Sequence, residues 1–192
     1  MKLYSSIVGF SFVLAAILAV GIVPCRAERE KNIETHRLNI RINAPADFIY
    51  PYLIEEDKIA LWNQDKGVEV SFPRGVEPRI GKQIRVSLKV PTRPWMLMEI
   101  VKLEPGREVV TDFIDGVLEG SFAYRLESQD DGSTMLVHEI KIQPKGVLIA
   151  LAWELFGKRL HRRKMEGFLA KIKSVVESSY EPKRTDVPAS RP

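Results

Sequence analysis

The sequence predicts an α+β domain: a curved, seven-stranded antiparallel sheet with two short helices and one long C-terminal helix, preceded by an apolar N-terminal leader. Three observations predict it. The stretch from Gly146 to Ser178 contains no proline, with Pro144 and Pro182 outside its ends. Its second half spaces Met165, Phe168, Leu169, Ile172, Val175 and Val176 three and four apart, the period of a helix with one buried stripe. The apolar stretches before it are separated by turn chemistry: Pro73-Arg74-Gly75, Pro91-Thr92-Arg93-Pro94, Glu104-Pro105-Gly106, Asp115-Gly116 and Asp130-Asp131-Gly132. Paired as successive antiparallel hairpins, those stretches agree on one apolar face, which is the surface a long amphipathic helix needs.

A chain of 192 residues, 45% apolar and 28% charged, holds one domain with a sizeable core plus a leader or tail. The net charge of +4 is local. Lys158, Arg159, Arg162, Arg163 and Lys164 supply all of it, leaving the rest of the chain near neutral. A nucleic-acid partner, which needs a broad basic face, is therefore not expected. The single cysteine, Cys25, excludes an intramolecular disulfide.

Residues 1–27 read as a signal peptide or membrane anchor. Lys2 precedes an uncharged apolar run from Ile7 to Val23, and Pro24-Cys25-Arg26-Ala27 offers a cleavage site after Ala27. The run is long for a signal peptide and short for a spanning helix, which needs about 20 residues, so both readings stand. Either places the protein at or beyond a bacterial membrane: anchored, periplasmic or secreted. Residues 28–35 are polar and read as a linker. The tail, residues 179–192, with three prolines, is expected to be disordered.

In chain order, His36 to Asn43 alternates as a half-buried strand, with Leu38, Ile40 and Ile42 on one face. Asn43-Ala44-Pro45-Ala46-Asp47 opens a short helix with Pro45 at an early position, where its missing N–H costs nothing. A second short helix is expected over Glu55 to Leu61. Strands follow at Val68–Phe72, Ile80–Val90, Trp95–Leu103, Glu108–Ile114, Leu118–Glu127 and Thr134–Ile142. Centring each hairpin on its turn sets Met98 opposite Val86, Phe113 opposite Met98, Leu118 opposite Phe113 and His138 opposite Phe122. One face then collects Val86, Met96, Met98, Ile100, Thr111, Phe113, Phe122, Tyr124, Leu136 and His138. The other is charged, with Leu97, Val101, Val110, Met135 and Val137 as its apolar exceptions.

The opening Ile40-Arg41-Ile42-Asn43-Ala44-Pro45-Ala46-Asp47-Phe48-Ile49-Tyr50, with Leu53 and Trp62, resembles that of the START-like (SRPBCC) superfamily. Phe113-Ile114-Asp115 followed by Gly120-Ser121-Phe122 is similar to its middle strands. Gly132-Ser133-Thr134, then Pro144-Lys145-Gly146 and a long helix, is similar to its close. The resemblance covers residues 36–178 and points to the polyketide cyclase/dehydrase and lipid-transfer branch. It implies a helix-grip fold, in which the sheet grips the last helix with an apolar cavity between them. The branch shares no fixed catalytic set, so the fold alone does not supply the function.

Given that cavity, its expected lining is His138, Tyr124, Thr111, Phe122, Phe113, Met98, Met96, Ile100, Val86 and Leu136 from the sheet, with Leu148, Leu151 and Phe156 from the helix. His138 is its main polar group. In an apolar cavity it stays neutral and can hydrogen-bond a ligand or move a proton; the alternative is a packing histidine satisfied by Tyr124. The basic run Arg159, Arg162, Arg163 and Lys164, with Trp153, forms a candidate anionic-headgroup surface, each cation contributing ~1 kcal/mol near an anionic bilayer. The alternative is a solvated outer face of the helix.

The chain has no phosphate-cradling glycine loop, no His-Glu-x-x-His, no Cys-x-x-Cys and no Gly-x-Ser-x-Gly. Its three histidines, at 36, 138 and 161, are expected far apart on different elements. Neither a metal nor a cofactor is therefore expected. The reading that follows is a binding or transport module for an apolar small molecule or lipid near a bacterial membrane. The alternatives are a cyclase/dehydratase acting through His138, Tyr124 or Thr111, and a protein-interaction domain using the outward apolar residues.

Overall fold

The computed structural model describes residues 33–63, 67–73, 75 and 77–181. The leader, most of the linker and the tail beyond residue 181 lie outside the described residues.

Strand β1 (Glu34–Ile42) alternates as expected, but it begins two residues early and takes Glu34 and Thr35 from the expected linker. Three short helices follow rather than two: α1 (Ala46–Ile49), α2 (Pro51–Ile54) and α3 (Glu56–Trp62). Pro51 causes the extra break. It has no N–H to continue α1, and it sits at the start of α2, where none is needed. Strands β2 (Val68–Ser71), β3 (Gln83–Leu88), β4 (Trp95–Glu104), β5 (Glu108–Gly116), β6 (Leu118–Ser128) and β7 (Thr134–Pro144) then run as a meander. The sheet order is β1-β7-β6-β5-β4-β3-β2, antiparallel throughout, so the first strand closes against the last.

The registers explain why one face is apolar. Met98 lies opposite Phe113, as expected. The other three pairs are Val86 with Met96, Phe113 with Gly120, and Tyr124 with His138. Each differs from expectation by two residues, and because side chains alternate with a period of two, such a slip leaves these residues on their expected face; only the β4–β5 pairing breaks the alternation, at irregularities between Leu97 and Met98 and between Ile100 and Lys102. Gly120, with φ +118°, brings its backbone so close to the Lys141 carbonyl that a Cβ would collide with it.

The long helix is interrupted. It consists of α4 (Val147–Ala152), one π-helical turn (Trp153–Gly157) and α5 (Lys158–Ser179). The π turn ends at Gly157. A side chain at Gly157 would press on the Trp153 ring, so the glycine lets that indole fold back along the helix. Leu169, Ile172 and Val176 of α5 are buried against Ile42, Leu136, Tyr52, Leu53 and Trp62 in the larger core cluster. A smaller cluster gathers Met98, Phe113, Leu118, Ile140 and Ile142, and Trp153 packs on its edge.

A buried hydrogen bond ties the start of the helical segment to the sheet: Thr134 Oγ1 donates to the Ala44 carbonyl at 2.8 Å. Thr134→Val will lower stability by about 1–2 kcal/mol, because the carbonyl is left unpaired in the core. Urea denaturation reads this directly, and an unchanged midpoint would show that the bond contributes nothing.

Candidate functional site

His138 projects from β7 between Leu136 and Ile140 and is only 3% exposed. Neither of its ring nitrogens has a hydrogen-bond partner, and the buried hydroxyl of Thr111 has none either. Tyr124 sits at the paired position on β6 with its ring 5.2 Å away, and Phe122 lies at 5.7 Å. Tyr124 therefore packs against His138 without satisfying it. Burial, reinforced by His161, pushes the His138 pKa down to about 3. Burial likewise pushes the Tyr124 hydroxyl above its usual range. The site thus presents neutral, unpaired polar atoms on an otherwise apolar floor.

The structure overturns the expectation that the histidines stand apart. His161 of α5 lies 5.8 Å from His138 and 6.3 Å from His36 of β1, ring centre to ring centre. Trp153 closes the group at 5.7 Å from His36 and 5.8 Å from His161. The sequence separates these residues, and the pairing of β1 with β7 beneath the helix reunites them. Burial, with His36 adding to it, pushes His161 down to about 4. Among the described residues no group of histidine, cysteine or acidic side chains has a geometry that holds a metal ion.

Glu34 fastens this group to the helix. Trp153 Nε1 donates to it at 3.3 Å, His36 Nε2 lies at 3.1 Å and Lys158 Nζ at 3.0 Å. Burial alone would raise the Glu34 pKa, but the hydrogen bonds from Lys158, Trp153 and His36 hold it down to about 2. Lys158 also pairs with Glu154, one turn earlier, at 2.7 Å. Sequence reading missed Glu34 because it assigned that residue to the linker. The alternation that continues back from Leu38 through His36 to Glu34 was the available signal.

The expected lining residues divide. Met98, Ile100, Thr111, Phe113, Tyr124, Leu136 and His138 are buried, while Val86, Met96 and Phe122 are half-buried. The three helix positions face elsewhere: Leu148, Leu151 and Phe156 are 46%, 41% and 48% exposed. Val147, Leu155 and Leu160 are exposed beside them, and neither α4 nor the π turn contributes a fully buried residue. Trp153, expected at a membrane interface, is instead turned onto the sheet. Arg159, Arg162 and Arg163 are exposed and Lys164 is half-buried. Of the outward apolar residues, Val137 is only 1% exposed. Its cross-strand partner Arg125 is held by Glu108 and Glu139 and covers it, whereas Val101 on the same face is exposed.

Two clefts open elsewhere. One of about 380 Å³ lies between β1 and α5, lined by Thr35, His36, Arg37, Leu38, Lys158, Arg159, His161 and Arg162. It shares His36 and His161 with the aromatic group and so borders the His138 floor. The other, of about 450 Å³, lies at the far edge of the sheet by Glu69, Ser87 to Pro91 and Arg93, remote from the buried polar groups. No helix of the described residues is long and apolar enough to cross a membrane.

No protein-family model matches the sequence, and no curated protein matches it significantly. Solved structures match its fold. The Zhui aromatase/cyclase from Streptomyces sp. R1128 is similar at a TM-score of 0.60 and 16% identity, covering 76% of this chain and 94% of that one. Ara h 8.0201 is similar at 0.56 and 14%, covering 77% and 99%. The Aha1 dimer from Colwellia psychrerythraea is similar at 0.55 and 17%, covering 75% and 96%. These are Bet v1-like/SRPBCC proteins, and the helix-grip fold they share is the fold of this chain.

Proposed function

We propose that the protein binds an apolar small molecule or lipid between the sheet and the first half of its C-terminal helix, close to a bacterial membrane. The observation that carries this reading is the unpaired state of His138 and Thr111 on the buried inner face. A buried polar group without a partner costs about 1–3 kcal/mol, and a ligand's polar end would recover that cost. The covering helix supports the same reading. α4 and the π turn contain no fully buried residue and are held to the sheet mainly through Trp153 and the Glu34 contacts, so α4 is suited to moving aside for entry. The leader supports a membrane-anchored, periplasmic or secreted location. The solved structures of similar fold include an aromatase/cyclase, which is consistent with a small-molecule ligand.

The test is native mass spectrometry of protein purified without detergent, followed by extraction and identification of what is released. An apolar ligand is expected at a stoichiometric level. His138→Leu should discard it while leaving the empty protein as stable as wild type or slightly more so, since both unpaired nitrogens are removed. An empty protein that also takes up no fatty-acid probe would sink the reading.

A cyclase/dehydratase is the second reading. It is favoured by the partnerless imidazole beside Tyr124, whose ring nitrogen would have to be raised from a pKa of about 3 by a bound substrate before it could serve as a base near neutral pH. If His138→Ala leaves a discovered turnover intact, that mechanism is wrong.

A further inference from the structure

The six apolar side chains Val147, Leu148, Leu151, Leu155, Phe156 and Leu160 are 41–66% exposed along one continuous stretch of helix. Exposed apolar surface concentrated in this way marks a docking face. The cleft of about 380 Å³ beside it is lined by Arg37, Lys158, Arg159 and Arg162 and by no acidic side chain. Arg37 is paired with Glu127, and Lys158 with Glu34 and Glu154. Arg159 and Arg162 have no carboxylate partner among the described residues. They lie three apart on the helix, where their guanidinium groups can converge on one anion.

We infer that this part of the helix docks on an anionic bilayer, with the apolar stretch entering the acyl boundary and Arg159 and Arg162 holding a phosphate headgroup at the cleft. Charge argues against a second copy of the chain as the occupant, because a symmetric contact across this stretch would bring like arginine clusters together. A free phosphate would leave the apolar stretch uncovered. An amphipathic surface with cations at its border is the pattern of an interfacial helix. The inference goes beyond ligand binding in the grip and does not depend on it.

The test uses the full chain with Cys25→Ser, carrying an environment-sensitive dye at Leu155→Cys or, as a control, at Ser174→Cys. It is mixed with vesicles of phosphatidylcholine alone or with phosphatidylglycerol, each containing nitroxide-labelled lipid. Any attachment through the leader holds both labels equally, so only local contact quenches one of them. Quenching at position 155 and not at 174, with preference for phosphatidylglycerol, is expected. Arg159→Gln with Arg162→Gln should reduce that preference roughly thirty-fold, or five-fold per arginine, with circular dichroism unchanged at these exposed positions.

Equal quenching with and without phosphatidylglycerol would overturn the headgroup assignment. Absence of quenching on both would overturn docking altogether. So would a dye shielded without vesicles together with a doubled mass by light scattering, which would make a second copy the occupant. Loss of the preference in millimolar inorganic phosphate at constant ionic strength would assign the cleft to free phosphate instead.

Discussion

Lowering the pH from 7 to 5 will destabilise the ligand-free protein by about 4 kcal/mol, contributed roughly equally by His138 and His161. The folded-state pKa values are about 3 and about 4, against 6.5 for the free side chain. The unfolded chain therefore takes up protons that the folded chain refuses. Stability is complete above pH 6.5 and falls as pH drops towards the folded values, by up to ~1.4 kcal/mol per pH unit for each ring. The cause lies in the packing. His138 sits on an apolar floor with no partner, and His161 is half-buried between Trp153, His36 and His138 at the edge of the cleft. Glu34 acts in a lower window, its contribution being lost only as pH falls from 4.5 to about 2. Urea denaturation at pH 7, 6 and 5 measures the effect, and His138→Leu should remove about half of the slope. A flat profile between pH 7 and 5 would show that both rings titrate freely in the folded state.

That sensitivity could not be anticipated from the sequence, although half of its basis was visible there. The inward position of His138 followed from alternation between Leu136 and Ile140. It survived a register slip of two residues because side-chain direction has the same period. The meeting of His36, His138 and His161 did not follow from any local pattern. It depends on β1 crossing to pair with β7 and on the azimuth of α5, both set by packing between distant elements. The same limit applies to Leu148, Leu151 and Phe156. A segment that is apolar all round carries no periodicity to say which side is buried. The π turn then rotates that segment relative to α5. The second half of the helix, with polar residues between Leu169, Ile172 and Val176, declared its buried side and holds to it.

The two halves of the helix should therefore respond in opposite ways to the same kind of truncation. Ile172→Ala is expected to cost about 3–5 kcal/mol, because Ile172 is fully enclosed in the larger core cluster and its removal leaves a cavity that the sheet cannot collapse to fill. Leu155→Ala is expected to stay within ~0.5 kcal/mol of wild type, because that side chain is 51% exposed. Denaturant midpoints of the two variants, with unchanged slopes, give the comparison. A cost at Leu155 approaching that at Ile172 would mean that the first half of the helix is a structural clamp held by burial. Absence of such a cost would mean that α4 and the π turn keep an apolar surface the fold does not need. Left open to water, such a surface favours aggregation. On that outcome the exposed stretch, beside Arg159 and Arg162 that have no carboxylate partner among the described residues, has the character of a docking face and not of a core element.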